Sequence, residues 1–115
     1  MNAIEYLNIS IEKMTAEEVI LTMPIRDEIK QPYGIVHGGM NALLAETAGS
    51  FGANIGLDIH THHIAQATEG TLRAIATPIH AGRQIQTWRI DTYVMETNKL
   101  TSSSTFTAMI IPVRK

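Results

Sequence analysis

The chain has 115 residues, 44% of them hydrophobic and 17% charged, with a formal net charge of -2 and no cysteine. That is one domain's worth of sequence, 1–115, with enough apolar side chains for a core, and so small a charge offers no footprint for nucleic acid or an anionic membrane. The missing cysteines exclude disulfides, thiolate zinc sites and Cys nucleophiles.

The N-terminal stretch reaches Glu5 before any apolar run and carries no basic segment ahead of one, so no leader is expected. Nothing approaches the ~20 consecutive apolar residues of a membrane span, and a cytoplasmic protein is the expectation. Ile9 and Ile11, then Val19, Leu21 and Met23, alternate with polar neighbours as half-buried strands do, with a turn at 15–18. Residues 24–34, with Pro32 and Gly34 near the end, read as a loop. Beyond Gly56 the pattern is strand-like over about 60–68, 71–80, 83–95 and 100–111, punctuated by Glu69-Gly70, Ala81-Gly82 and residues 96–99. Within 83–95 the alternation slips, because Ile85 is out of phase with Trp88 and Ile90, which predicts a bulge or a change of covered face.

Residues 39 to about 55 differ from all of these. They are rich in Ala, Leu and Met, and Met40, Leu44, Ala48, Phe51 and Ile55 fall on one stripe at helical spacing. The opposite face holds Ala42, Glu46, Gly49, Ser50 and Ala53. From 31 to 57, Glu46 is the only Asp, Glu, Lys or Arg, and a helix uncharged on every side is expected to be buried on every side. The fold class that follows is α+β, an antiparallel sheet curled around one long central helix.

Glu46 is thus expected mid-helix, away from bulk water and among small neighbours. Burying a carboxylate without a partner is costly, and no basic residue lies within a turn or two. Either a strand Lys or Arg neutralises it, or the helix is merely surface-exposed there, or the small neighbours leave room for a substrate beside a nucleophile or general base. Ahead of the helix, His37-Gly38-Gly39 supplies no Ser, Thr, Asp or Asn cap, leaving N–H groups free at the positive end of the helix dipole to hold an oxyanion. Gly38 and Glu46 are eight residues apart, about 12 Å along the axis at ~1.5 Å per residue, so one carbonyl cannot touch both. Two such helices antiparallel across a two-fold axis would bring Glu46 of one copy to Gly38 of the other. The expected assembly is a homodimer with the site at its interface, and a homotetramer built on it, though the residue pattern leaves dimer versus tetramer open.

The segment from Gln31-Pro-Tyr-Gly-Ile-Val-His-Gly-Gly through Ala45-Glu46-Thr47 to Ser50 resembles the hotdog-fold thioesterases. Within them it is similar to the branch holding the Arthrobacter-type 4-hydroxybenzoyl-CoA thioesterase and the dihydroxynaphthoyl-CoA thioesterases of menaquinone synthesis. The likeness continues through Glu69-Gly70, Pro78 to Arg83 and Trp88. It implies hydrolysis of an acyl-CoA, with Glu46 attacking the thioester or activating water, and with the Gly38 N–H as oxyanion donor. Gln31 and His37 fall where the family orients or polarises the thioester, and Ser50 where a hydroxyl places the carboxylate or the water. His63 and the His80-Gly82-Arg83 turn would lie near the CoA nucleotide and pantetheine, Arg83 as a phosphate contact. The order Gly82-Arg83-Gln84 departs from the Gly-Ser-Arg order frequent in the family. An aromatic acyl group, such as 1,4-dihydroxy-2-naphthoyl, is favoured only through this resemblance.

No cofactor and no metal are expected. His60 and His62 share a strand face while His63 points the other way, and Asp58, two residues before His60, is the only carboxylate at ligand spacing. Trp88, Phe106 and the methionines read as core, and 102–105 either as exposed strand or as small residues admitting a close neighbour. Two other functions compete. A hotdog hydratase or dehydratase would use a His and an acid for proton transfer, and a non-catalytic acyl-CoA-binding domain would have no reason to keep Glu46.

Overall fold

The computed structural model describes residues 1–52 and 55–110. It contains a short helix α1 (Ala3–Tyr6), strands β1 (Ser10–Met14) and β2 (Val19–Pro24), a long helix α2 (Gly38–Gly52), and strands β3 (Ile55–His63), β4 (Thr71–Ala81), β5 (Ile85–Val94) and β6 (Lys99–Met109). The described strands form one antiparallel sheet in the order β1-β2-β4-β5-β6-β3, and α2 packs against the strands from β2 through to β3 at the far edge. This is the expected α+β hotdog arrangement. Among the described residues no helix is long and apolar enough to cross a membrane.

Strand β2 shows the expected alternation, with Val19, Leu21 and Met23 all at 0% exposure. Trp88 and Phe106 are core, as is Met23, whereas Met14, Met95 and Met109 are exposed. Three boundaries differ from expectation. Residues 3–6, ahead of the first expected strand, form α1, and Ile9 is buried before β1 begins while Ile11, on the outermost strand, is exposed. The loop at 24–34 contains a 3-10 turn, Asp27–Ile29, that drives Ile29 into the core. The strand expected at 60–68 is β3, five residues earlier; the Gly-poor run after His63 is open chain carrying Ala67 into the core. Periodicity could not separate the end of an uncharged helix from the start of an apolar strand, because both read as apolar.

The slip near Ile85 has its origin on the neighbouring strand. Register jumps from Pro78 opposite Trp88 to His80 opposite Thr87, so β4 rather than β5 carries the extra residue. Likewise Thr101 is the extra residue where β6 passes β5, and it turns its hydroxyl to Thr92 O and to the Asn41 side chain of α2, at 3.0 and 2.9 Å. Ser102 and Ser104, at 0% and 2% exposure, lie buried rather than on an exposed strand, in the strand that α2 packs against.

Candidate active site

Helix α2 buries one face only. Asn41, Leu44, Ala45, Ala48 and Gly49 are buried, and at Gly49 a Cβ would meet the Phe106 ring at 2.5 Å, so this residue belongs to the sheet side. The expected stripe is therefore rotated: Leu44 and Ala48 are buried, Met40 is half-buried, Phe51 is exposed and Ile55 belongs to β3. Ala53 lies outside the described residues.

The other face is open, and here the expectation for Glu46 is corrected. Its side chain is exposed, because a single chain supplies a sheet to only one side of the helix. Glu46 lines an open cleft of about 550 Å³ together with Ala42, Thr47 and Ser50, one turn further on. Among the described residues no Lys or Arg forms an ion pair with it. On its other side Glu46 borders a smaller hollow shared with Gly56, Asp58 and Phe106, and a Cβ on Gly56 would stand 3.9 Å from Glu46 Oε1.

The helix start is capped after all. His37 Nδ1 accepts the Gly39 N–H at 2.9 Å, and His37 O accepts the Met40 N–H at 2.9 Å. A ring nitrogen serving as a cap escapes a search for Ser, Thr, Asp and Asn. The cap has two consequences. It leaves the Gly38 N–H, at the first helical position, with no acceptor inside the helix. It also makes Nδ1 the unprotonated nitrogen, so the neutral ring carries its proton on Nε2 and is a donor there. Gln31 is constrained in the same sense: its Oε1 accepts the Tyr33 N–H, which leaves its amide NH2 as the free end.

The expected CoA residues are divided between two ends of the sheet. The His63 ring lies against Gly38, where an added Cβ would be 2.9 Å from it, and both border a second hollow with Asn41. His80 stands instead in the row His80, Thr87, Thr107, Asp58, whereas His63 stands in the row His63, Ser102, Thr92. Asp58 and His63 are five residues apart on β3, roughly 17 Å at ~3.4 Å per residue. Along the strand direction, Glu46 thus lies toward the His80-Gly82-Arg83 end of the sheet, three strands away, and Gly38 lies with His63 toward the other end. The expected site residues fall into two half-sets toward opposite ends of the strands.

His60 and His62 face each other with ring centres 4.8 Å apart. Among the described residues no group of three or more His, Cys, Asp or Glu could hold a metal.

A six-stranded antiparallel sheet over one long helix, with a carboxylate on the helix's open face that no described residue pairs and a glycine N–H at its start, defines a hotdog-fold enzyme. Comparison with known proteins gives the family: residues 33–100 match the Thioesterase superfamily. The 1,4-dihydroxy-2-naphthoyl-CoA hydrolase of Escherichia coli K12 is 33% identical over 96% of this chain and 87% of its own. The proofreading thioesterase EntH of Cronobacter turicensis is 31% identical over 93% and 85%. A crystal structure of a thioesterase from Haemophilus influenzae, 36% identical, superposes with a TM-score of 0.91 over 99% of this chain and 85% of that one. The chain belongs to the thioesterase superfamily and is a thioester hydrolase.

Proposed function

We propose that this protein hydrolyses an acyl-CoA, with an aromatic acyl group of the 1,4-dihydroxy-2-naphthoyl kind as its substrate class, in a site shared between two copies of the chain. The observation that carries the reading is Glu46, the one acid of α2, exposed in an open cleft and without an ion pair among the described residues. The E. coli relative named for that substrate supports the acyl class.

In this mechanism Glu46 attacks the thioester carbonyl or takes a proton from the attacking water. The partner copy's Gly38 N–H holds the oxygen as it becomes negative, aided by the helix dipole. Gln31 NH2 and His37 Nε2–H are donors toward the same carbonyl, and Ser50 orients the carboxylate or the water. CoA lies across the subunit boundary, with His63 of one half-set and His80, Gly82 and Arg83 of the other along it, Arg83 meeting phosphate.

Strand β3 favours the dimer, because it is an edge of the sheet with Ile55 and Leu57 exposed and no Lys or Pro to guard it. The hydratase reading is weaker: a histidine whose Nδ1 is occupied by Gly39 and whose Nε2 bears the proton is no base.

Hydrolysis of an acyl-CoA panel spanning aromatic, short and long acyl groups tests the function, with Glu46→Gln as control. The variant should unfold at the wild-type temperature and lose at least ~10²-fold in kcat. A near-wild-type rate in a folded Glu46→Gln protein ends the proposal.

A further inference from the structure

Helix α1 is four residues long, far below the ~12–15 residues at which an isolated helix becomes even marginal, so its neighbours hold it. Asn2 Oδ1 accepts the Glu5 N–H at 2.9 Å and caps the start. Leu7 and Ile9, just after α1, are buried in the core. The Arg26 guanidinium donates to Tyr6 O and lies 5.3 Å from the centre of the Tyr6 ring. A segment without intrinsic helix stability is thus tied down at both ends.

What this fixes in place is Ile4. Its side chain is half-buried against the edge of the core, and its remaining surface lines the Glu46 cleft. Among the described residues every other group lining that cleft belongs to α2. On α2, Gly39, Ala42 and Ser50 give room along the floor, while Leu43 and Phe51 are its larger apolar groups. Among the described residues, Ile4 is the one lining side chain brought to that floor by an element other than α2.

We propose that Ile4 is the specificity-determining wall of the acyl pocket, setting how large an apolar acyl group can lie along α2 with its carbonyl at Glu46. This rests on the thioesterase reading of the cleft. A branched aliphatic side chain at that point suits the flat or apolar end of an acyl group and has nothing to offer a charged one. Removing it lengthens the pocket, and enlarging it shortens the pocket.

The test measures kcat/KM for 2-naphthoyl-CoA and acetyl-CoA in wild type, Ile4→Ala and Ile4→Trp, with Glu46→Gln alongside. The naphthoyl-to-acetyl ratio should rise about threefold or more in Ile4→Ala and fall about tenfold or more in Ile4→Trp, the scale on which hydrophobic pockets discriminate by size. A merely structural Ile4 would lower both substrates together and leave the ratio alone. Ratios within about twofold of wild type in folded variants overturn the proposal while leaving the thioesterase reading intact. If Ile4→Trp does not fold, the Ile4→Ala ratio decides. A wild type that hydrolyses neither ester, or a Glu46→Gln variant that remains active, removes the reading of the cleft and the proposal with it.

Discussion

One face of α2 turns Asn41, Leu44, Ala45, Ala48 and Gly49 to the sheet, while the other turns Gly39, Ala42, Glu46 and Ser50 to an open cleft. The two faces are built from similar materials, small residues with few charges, and differ in what covers them. The sheet covers the first, and the chain leaves the second uncovered. Low polarity around a helix therefore reports that every side meets something other than bulk water, but not whether that something is the same chain, a second copy or a substrate. Changes on the sheet face should cost stability first, and changes on the cleft face should cost activity first.

The largest stability effect is expected from Leu44→Ala. Leu44 is fully buried, and truncating such a side chain costs about 2–5 kcal/mol, read as a lower midpoint in urea unfolding. A loss below ~1 kcal/mol would mean that the sheet face is loosely packed. Gly49→Ala comes next. Its added methyl would stand 2.5 Å from Phe106 Cδ2, and overpacking of this kind costs about 1–3 kcal/mol. Adding a methyl to an exposed helical glycine would instead stabilise, so the sign of this one change separates the faces. The smallest stability effect should come from Ser50→Ala on the cleft face, within about 0.5 kcal/mol of wild type in unfolding. Its kcat should nevertheless fall roughly tenfold, the worth of one hydrogen bond to a charged group. A Ser50→Ala protein that is unstable yet fully active would reverse the comparison.

Much of this was legible beforehand, and the misses have physical causes. Val19, Leu21 and Met23 announced β2 because alternation over a half-buried strand is a period-two signal. The start of α2 and the isolation of Glu46 were equally plain, because a single carboxylate in a charge-free stretch has no competing explanation nearby. The exposure of Glu46 stood only as an alternative to burial, since sequence cannot say which chain provides the cover. Nor was the His37 cap, which depends on a ring nitrogen reaching back to Gly39. The separation of His63 from His80 required strand register, and register here includes a jump at Pro78 that alternation on β5 only hinted at. Ile4 was invisible as a site residue because α1 exists through tertiary contacts and not through propensity.

The shared site is the central claim, and mixing two inactive variants tests it most directly. Glu46→Gln removes the carboxylate from one half-set. Gly38→Pro removes the oxyanion N–H from the other at a helix position where Pro is tolerated, and it also crowds His63 of that same half-set. Each variant alone should be folded and inactive. After the two are unfolded and refolded together, half the dimers should pair unlike chains and carry one intact site of two. Activity should then recover toward about a quarter of wild type. Folded variants that exchange subunits yet recover nothing would contradict the shared site and leave Glu46 to act with donors of its own chain.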